Sequence, residues 1–217
     1  MSEHTVPTLG AVLYKDFELL DLYGPLEMFG ALPGLFEIVT VAGEKGPVAS
    51  TPGPKTVAEY SFDDCPPLNL LLLPGGLGTL GALEDEALLQ FLRDRSRDAR
   101  FTLSVCSGSA ILAKAGLLDG RRATTNKQLF WVATGQEADV EWVEQARWVV
   151  DGTFVTSSGV SAGTDMALAV IAEMLGEELA QQIADLTEYQ WHRDADDDPF
   201  AQFLNALDAE TFLKSYS

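Results

Sequence analysis

Residues 101–113 read Phe-Thr-Leu-Ser-Val-Cys-Ser-Gly-Ser-Ala-Ile-Leu-Ala, an apolar run of strand character followed at once by an apolar-periodic helix. The strand pattern ends at Val105, and Gly108 with its small serine neighbours permits a tight strand-to-helix turn. Cys106 occupies that turn, at the start of a helix whose unpaired N–H groups and dipole favour a thiolate. We therefore predict a reactive cysteine in a nucleophile elbow. The alternative is a buried free cysteine, since cysteine also packs as a small apolar side chain.

Strand-like and helix-like segments alternate on both sides of this turn. The apolar run 69–73 is unbroken, as expected for a strand in a sheet that is covered on both faces. Asp151-Gly152 separates two strand patterns and predicts a hairpin turn. The alternation predicts an α/β sandwich with a mostly parallel sheet. The other predicted strands are 8–14, 35–41, 146–150 and 154–156, and the predicted helices are 19–29, 85–98, 126–133, 161–176 and 177–189.

Composition and charge limit the possible partners. The chain has 217 residues, 47% of them hydrophobic, and a formal net charge of −19, which predicts one domain over residues 1–217. So negative a chain repels phosphates and anionic lipid, so neither nucleic acid nor a membrane is expected as a partner. No stretch approaches the ~18 apolar residues of a membrane span, and no secretory signal is visible. Because Cys65 and Cys106 make no disulfide framework, we predict a cytoplasmic location.

Two other turns at predicted strand ends carry candidate groups. In parallel sheets, sites form beyond the carboxyl ends of the strands, where Asp21 and Gly75-Gly76 join Cys106. The backbone N–H groups of Gly75, Gly76 and Ser107 are predicted to face a developing negative charge. Gly75-Gly76 is equally explained as an ordinary flexible turn. Asp21 alone would more often be a helix cap than a catalytic group.

Several phrases of the sequence together resemble the ThiJ/PfpI superfamily, which has a class I glutamine amidotransferase-like fold. In order along the chain they are Leu20-Asp21-Leu-Tyr-Gly24-Pro25, Leu73-Pro-Gly-Gly76, Ser104-Val-Cys106-Ser-Gly108, the run from Gly116 to Thr125, and Ser161-Ala-Gly163-Thr-Asp165. The chain is most similar to the isonitrile hydratase-like branch, which also resembles the ligand-sensing halves of certain AraC-type regulators. The resemblance implies a flavodoxin-like three-layer sandwich, a homodimer, and Cys106 as nucleophile.

Missing histidines narrow the expected chemistry. Peptidase-like members carry histidine directly after the cysteine, where this chain has Ser107, and glutamine amidotransferases need a late His-x-Glu that is absent here. Only His4 and His192 exist, the first in a terminus expected to be frayed and the second expected at the surface or an interface. Protease and glutamine amidotransferase activities are therefore not expected.

What the resemblance implies instead is hydration of a small neutral isonitrile to an N-substituted formamide. Cys106 would attack the terminal carbon to give a thioimidate, and Asp21, its pKa raised beside the thiol in a dry site, would carry the proton. The Ser107 hydroxyl would assist the water that resolves this intermediate. No cofactor is implied. Two cysteines without clustered histidines offer no metal site, and Cys65, which precedes a strand, is interpreted as structural.

One position departs from the branch. Asn126 follows Ala-Thr-Thr where related sequences usually have histidine, which would alter the substrate range or abolish hydration if that histidine lines the pocket. Alternatively, Asn126 caps a helix over 127–133. Phe130 and Trp131 are expected to wall the pocket, although packing explains them equally. The predicted pocket residues are Asn126, Phe130, Trp131 and Gly159.

Two other functions stay open. One is a non-catalytic module that senses a ligand or responds to cysteine oxidation, because an exposed cysteine of low pKa is readily oxidised. The AraC-type form of this idea is weakened because the sequence stops at Ser217, without room for a DNA-binding half. The other is glyoxalase- or deglycase-type action on reactive carbonyls, as other members of the superfamily perform.

Overall fold

A computed structural model describes residues 6–136 and 139–214. Strands and helices alternate along much of the chain. The strands are β1 (Thr8–Val12), β2 (Glu37–Ala42), β3 (Gly46–Ala49), β4 (Lys55–Ala58), β5 (Tyr60–Ser61), β6 (Leu70–Leu73), β7 (Phe101–Val105), β8 (Arg121–Ala123), β9 (Val140–Trp142), β10 (Trp148–Asp151) and β11 (Phe154–Ser157). The helices are α1 (Leu19–Gly30), α2 (Thr79–Ala82), α3 (Glu86–Ser96), α4 (Gly108–Lys114), α5 (Phe130–Thr134), α6 (Ala162–Leu175), α7 (Glu177–Leu186) and α8 (Ala209–Lys214).

Seven strands form the central sheet, in the order β10-β11-β7-β6-β1-β2-β5. Every neighbouring pair is parallel except β10 and β11, which form the predicted hairpin around Asp151-Gly152. Helices flank the sheet, and all four residues of β6 are buried, as its unbroken leucine run predicts. The α/β flavodoxin-like fold with a mostly parallel sheet is confirmed. Topology places β6, β7 and β1 side by side at the centre, so the turns after these strands meet at one edge.

The predicted helix over 126–133 is shorter than expected. α5 begins only at Phe130, because residues 127–129 form a turn in which Asn126 Oδ1 accepts a hydrogen bond from Leu129 N at 2.9 Å. Asn126 thus caps this turn rather than the helix itself. The short strands β5, β8 and β9 have two or three residues each, too few for a periodic pattern to be visible in the sequence. Within residues 6–136 and 139–214, no helix has the length and apolar character needed to cross a membrane.

Candidate active site

Cys106 lies in a strained turn between β7 and α4. Its φ is +57°, in the left-handed region that non-glycine residues adopt at a cost of about 1–3 kcal/mol. Cys106 N donates to the carbonyls of Ser157 and Ser158 at 3.2 and 3.1 Å, and its own carbonyl accepts from Thr125 Oγ1 at 3.0 Å. Hydrogen bonds from two other loops therefore hold the strained backbone in place.

The Cys106 sulfur is surrounded by hydrogen-bond donors but is not held as a thiolate. Asn126 Nδ2 donates to Sγ at 3.2 Å, and the backbone N–H groups of Ser107 and Val160 also lower the thiol pKa. Burial has the larger effect, since the residue is only 6% exposed, and the negative charge of Asp21 acts in the same direction. The pKa of the Cys106 thiol is consequently raised well above its ordinary value. The prediction of an exposed, ionised sulfur is wrong, because desolvation outweighs the donors.

Asp21 is fully buried in the first turn of α1, and its carboxyl interacts with the Cys106 side chain. Gly75 N donates to its Oδ2 at 2.9 Å, whereas Oδ1 has no hydrogen-bond partner among the described residues. Burial raises the pKa of Asp21 from 3.8 to about 7, against the lowering effects of the Gly75 N–H and of a hydrogen bond with Cys106. The nearby Glu18 carboxylate raises it further. The predicted raised pKa of Asp21 is confirmed, and at neutral pH this carboxyl can either give or take a proton.

The backbone donors of the glycine turn are already engaged. Gly75 N–H holds Asp21, and Gly76 N donates to Ser107 Oγ at 3.2 Å. The prediction that Gly75 and Gly76 face a reacting anion therefore does not hold in this arrangement. A Cβ on Gly75 would lie 2.6 Å from both Ser107 N and Oγ, so only glycine allows the turn to approach this closely. The turn positions the catalytic candidates instead of presenting free N–H groups.

Ser107 belongs to a chain of hydroxyl groups whose direction the geometry determines. Tyr14 OH donates to Pro74 O at 2.9 Å, which uses its single hydrogen. Thr79 Oγ1, at 3.2 Å, must then donate to Tyr14, and Ser107 Oγ, at 2.8 Å from Thr79 Oγ1, must donate to Thr79. Ser107 Oγ accepts from Gly76 N and keeps one lone pair. Toward a ligand, the Ser107 hydroxyl is thus a hydrogen-bond acceptor.

A cavity of about 190 Å³ opens beside Cys106 and Ser107. Its polar lining is Glu18, Thr51, Asn126 and Gln128, and its apolar lining is Leu77, Leu129, Val160, Leu207 and Phe212, with the backbone of Gly76. A second cavity of about 210 Å³ shares Asn126, Gln128 and Val160 with it and is also lined by Gly159. Asn126 therefore lines the cavity beside Cys106, whereas Gly159 lines only the second cavity, which does not include Cys106.

Phe130 and Trp131 line neither cavity. Phe130 packs edge-on against Trp142, and Trp131 packs edge-on against Phe212, with 6.4 Å between the ring centroids of the second pair. Packing therefore explains both aromatics, and the prediction that they wall the pocket is wrong.

The remaining candidates lie away from the sulfur. The ring Nε2 of His192 lies 3.0 Å from the Asp197 carbonyl oxygen, and this histidine lines neither cavity, whereas His4 is outside the described residues. Cys65 is buried, and its carbonyl accepts a hydrogen bond from Arg95. Across residues 6–136 and 139–214, no three His, Cys, Asp or Glu side chains are grouped as metal ligands.

The sequence interpretation missed several contributors to the site. Glu18 lies one turn before Asp21 at the start of α1, a spacing that was visible in the sequence. Tyr14 and Thr79 carry hydroxyls whose role depends on tertiary contacts with Ser107. Leu207 and Phe212 come from the far end of the chain, and no local pattern connects them with Cys106.

Comparison with known proteins gives a consistent family assignment. A profile described as the DJ-1/PfpI family matches residues 11–173. Isonitrile hydratase of Pseudomonas putida is 35% identical over 182 residues, which cover 83% of this chain and 78% of that protein. The crystal structure of a ThiJ/PfpI family protein from Pseudomonas syringae has a TM-score of 0.77 and 36% identity, and the match covers 90% of this chain and 78% of that one.

Regulators are also among the relatives. The HTH-type transcriptional regulator CdhR of Pseudomonas aeruginosa is 33% identical over 70% of this chain, but the match covers only 44% of the regulator. The similarity to such proteins is thus limited to part of their length. Family match, curated relatives and solved structures agree with one another and with the fold. The chain belongs to the DJ-1/PfpI family.

Proposed function

We propose that this protein hydrates a small neutral isonitrile to an N-substituted formamide, without a cofactor, through a thioimidate on Cys106. The observation that carries the proposal is the pairing of a buried thiol with the buried Asp21 carboxyl, whose Oδ1 has no hydrogen-bond partner among the described residues. The similarity to isonitrile hydratase of Pseudomonas putida supports the same reaction. A neutral substrate also suits a chain with a net charge of −19.

In the first step, the sulfur and the hydrogen of the Cys106 thiol both add to the terminal carbon of the isonitrile. As the sulfur attacks the terminal isonitrile carbon, the thiol proton passes to the Asp21 carboxylate. Asp21 then gives that proton to the same carbon, which yields the neutral thioimidate R–N=CH–S. A thiol that is protonated at rest is therefore compatible with the reaction, because both its sulfur and its proton become bonded to the isonitrile carbon. Asn126 Nδ2 and the nearby backbone N–H groups stabilise the sulfur while it carries negative charge.

The second step uses water and returns the enzyme to its starting state. Water adds to the thioimidate carbon, with the free lone pair of Ser107 Oγ accepting one of its hydrogen bonds and orienting its oxygen. Asp21 takes a proton from this water and gives one to the nitrogen. The hydroxyl of this intermediate then gives its proton to Asp21 as the C–S bond breaks, Asp21 passes that proton to the sulfur, and R–NH–CHO leaves. Over both steps, R–NC and one water become one formamide.

Product analysis with matched cysteine variants tests this function. Purified protein is incubated with cyclohexyl isonitrile, and N-cyclohexylformamide is followed by NMR. We expect turnover by the wild type and by Cys65→Ala, and none by Cys106→Ala. Mass spectrometry of the quenched reaction should find an adduct with the mass of the isonitrile on the Cys106 peptide. Absence of formamide with the wild type, or equal turnover by Cys106→Ala, would refute the proposal.

A ligand-sensing role is the second candidate, favoured by the similarity to the regulator CdhR. Its oxidation-responsive form loses its physical basis, because the Cys106 side chain is buried and its thiol pKa is raised. Isonitrile that binds, by calorimetry, without any formamide being released would favour sensing over catalysis. Methylglyoxal, added to the same assay as a control substrate, tests action on reactive carbonyls.

We also propose that the chain is one domain and works as a cytoplasmic homodimer. Leu20, which lines the second cavity, is 47% exposed, and Tyr23 and Val57 are 46% and 60% exposed. Tyr23 OH and Thr56 Oγ1 lie 2.7 Å apart, which joins α1 to the β3–β4 hairpin in one partly apolar surface. Light scattering should give a dimer mass for the wild type and a lower mass for Val57→Glu. A monomeric wild type would refute the dimer.

A further inference from the structure

Part of the wall of the reaction cavity comes from the C-terminal segment, which we define as residues 198–212. Leu207 and Phe212 both line the 190 Å³ cavity that holds Cys106. The family match ends at residue 173, so both residues lie outside it. This part of the cavity is therefore supplied by sequence that the common family pattern does not specify.

Four hydrogen bonds join the C-terminal segment to the loop that carries Asn126 and to the first turn of α5. Asn205 N donates to Lys127 O at 2.8 Å, and Leu207 N donates to Gln128 O at 3.2 Å. In return, Trp131 N donates to Asn205 Oδ1 at 2.9 Å, and Trp131 Nε1 donates to Leu207 O at 2.8 Å. Because the backbone of Leu207 is bonded to Gln128 in this loop and to Trp131 in α5, it is held at a fixed position relative to Asn126 and the sulfur.

A buried charge cluster fixes the other end of the segment. Asp198 is 1% exposed, although it ends a run of three aspartates. Its Oδ1 lies 3.5 Å from Arg147, its Oδ2 lies 3.9 Å from Lys127 Nζ, and its N–H donates to Gln145 O at 2.9 Å. Lys127 Nζ also donates to Thr124 Oγ1 and to Ala146 O. A buried carboxylate paired with two cations keeps its place, because losing either partner leaves an unpaired buried charge.

The cavity is divided by chemistry. Cys106, Ser107 and Asn126 contribute polar atoms beside the sulfur, as Glu18, Thr51 and Gln128 do elsewhere in the lining, whereas Leu207, Phe212 and Leu129 contribute apolar surface. Its volume of about 190 Å³ compares with the roughly 150 Å³ of an apolar cavity that admits benzene. A ligand that fits has one small polar head and one apolar group about as large as a six-membered ring.

We infer that Leu207 and Phe212 determine specificity by contacting the apolar N-substituent of the isonitrile and limiting it to about the size of a ring. The identity of the substrate in this inference rests on the proposed function. The position of the two residues in the cavity wall is independent of it. Changing a pocket by one methylene alters discrimination by roughly 10–200-fold. Leu207→Ala, which removes three carbon atoms, should therefore admit bulkier groups at the expense of small ones.

Two measurements on the full chain test the wall. The first is kcat/KM for ethyl isonitrile and for 2-naphthylmethyl isonitrile. The second, which needs no turnover, is the rate of Cys106 alkylation by N-ethylmaleimide and by N-(1-pyrenyl)maleimide, followed by mass spectrometry. For Leu207→Ala we expect two ratios to rise by about tenfold or more: kcat/KM for the bulky isonitrile over that for the small one, and the alkylation rate with the bulky maleimide over that with the small one. Phe203→Ala is the matched control, since Phe203 is in the same segment, is 44% exposed and lines neither cavity at the site.

The outcomes separate the wall from the reaction. An unchanged alkylation ratio in both Leu207→Ala and Phe212→Ala would overturn the inference, as would an equal rise in Phe203→Ala. Failure of N-ethylmaleimide to label wild-type Cys106 even after long incubation at alkaline pH, which offsets the raised pKa of the thiol, would also overturn it, because the cavity would then not reach the sulfur. If alkylation ratios rise but no variant hydrates isonitrile, the proposed function fails and the wall remains. Circular dichroism confirms that each variant is folded before its ratios are interpreted.

Discussion

Replacing Asp21 with asparagine should stabilise the protein, and increasingly so as the pH rises. Asparagine has nearly the shape of aspartate, and its Oδ1 can still accept the hydrogen bond from Gly75 N. What the variant removes is the ionisation of a fully buried carboxyl. Because the pKa of Asp21 is raised from 3.8 to about 7, the folded protein binds this proton more tightly than the unfolded chain does.

The sign and size of the effect follow from that difference. Below about pH 4 the carboxyl is protonated in both states, so its ionisation costs no stability. As the pH rises toward 7, the unfolded chain ionises first, and the free energy of unfolding of the wild type falls. Above pH 7 the loss levels off at about 4 kcal/mol, from a pKa of 3.8 rising to about 7 at 1.36 kcal/mol per unit. Between pH 5 and pH 8 the wild type should lose roughly 2–3 kcal/mol relative to Asp21→Asn.

Urea denaturation at pH 5, 6, 7 and 8 measures this directly. The difference in free energy of unfolding between Asp21→Asn and the wild type should grow with pH over this range. Glu27→Gln, which removes an exposed carboxylate from the same helix, is the matched control. A difference that stays constant from pH 5 to 8, or that shrinks, would refute the assignment of a raised pKa to Asp21.

Four further predictions concern the groups around this pair. In the formamide assay, kcat/KM should rise as the pH increases through about 7, because only ionised Asp21 can accept the thiol proton; a profile flat from pH 5 to 8 would contradict this role. Asn126→Asp keeps an acceptor for Leu129 N but replaces the donor to Cys106 with a negative charge, so alkylation by N-ethylmaleimide at fixed pH should slow by about tenfold or more; an unchanged rate would exclude the Asn126 hydrogen bond as a stabiliser of the thiolate. Thr79→Val breaks the series of hydroxyl hydrogen bonds between Tyr14 and Ser107. The free energy of unfolding, measured by urea denaturation, should fall by about 1–3 kcal/mol, and an unchanged value would mean that these hydrogen bonds do not stabilise the protein. The free energy of unfolding of the wild type should rise relative to that of Lys127→Met above about pH 8, where folded Lys127 loses its charge before the unfolded chain does; a constant difference between the two proteins would refute the lowered pKa of Lys127.

The position of the site was predictable because it depends on local patterns and on topology. The turn after β7 is encoded by the apolar run that stops at Val105 and by the small residues that follow. Asp21 and Gly75 follow neighbouring parallel strands, whose carboxyl ends meet at one edge of the sheet. The resemblance to a known family was carried by those same turns. Segments with a strong local signal and a simple topological rule were therefore sufficient to bring Asp21 and Cys106 together.

The electrostatics of the site were not predictable in the same way. The start of a helix favours a thiolate wherever it occurs, but the ionisation of Cys106 depends on how much water reaches it. With the residue 6% exposed, desolvation decides the outcome, and burial is a property of the whole fold. The same holds for Gly75, whose N–H looks free in the sequence but is used by a side chain 54 positions away. Predictions of where groups lie survived better than predictions of what charge or hydrogen bond they carry.

The acidic run before Pro199 shows how tertiary contacts override a compositional interpretation. A break rich in aspartate is usually solvated, and Asp196 and Asp197 are indeed exposed. Asp198 is buried because Lys127 and Arg147, contributed by two different loops, lie on either side of it. Without this pairing, burying the carboxylate would be prohibitively costly. The sequence interval between the charges exceeds 50 residues, so no local pattern connects them.

A buried, protonated cysteine suits addition chemistry better than it suits redox sensing. A sensor needs a thiolate that meets oxidant in solvent, and this requires exposure and a low pKa. Cys106 has neither, yet its proton need travel only as far as Asp21, whose pKa of about 7 allows it to take the proton and give it back. In α-addition to an isonitrile, sulfur and proton end on the same carbon, so no separated charges persist in the dry cavity. The high cost of a resting thiolate thus favours a reaction in which the thiolate exists only while the bond to carbon forms.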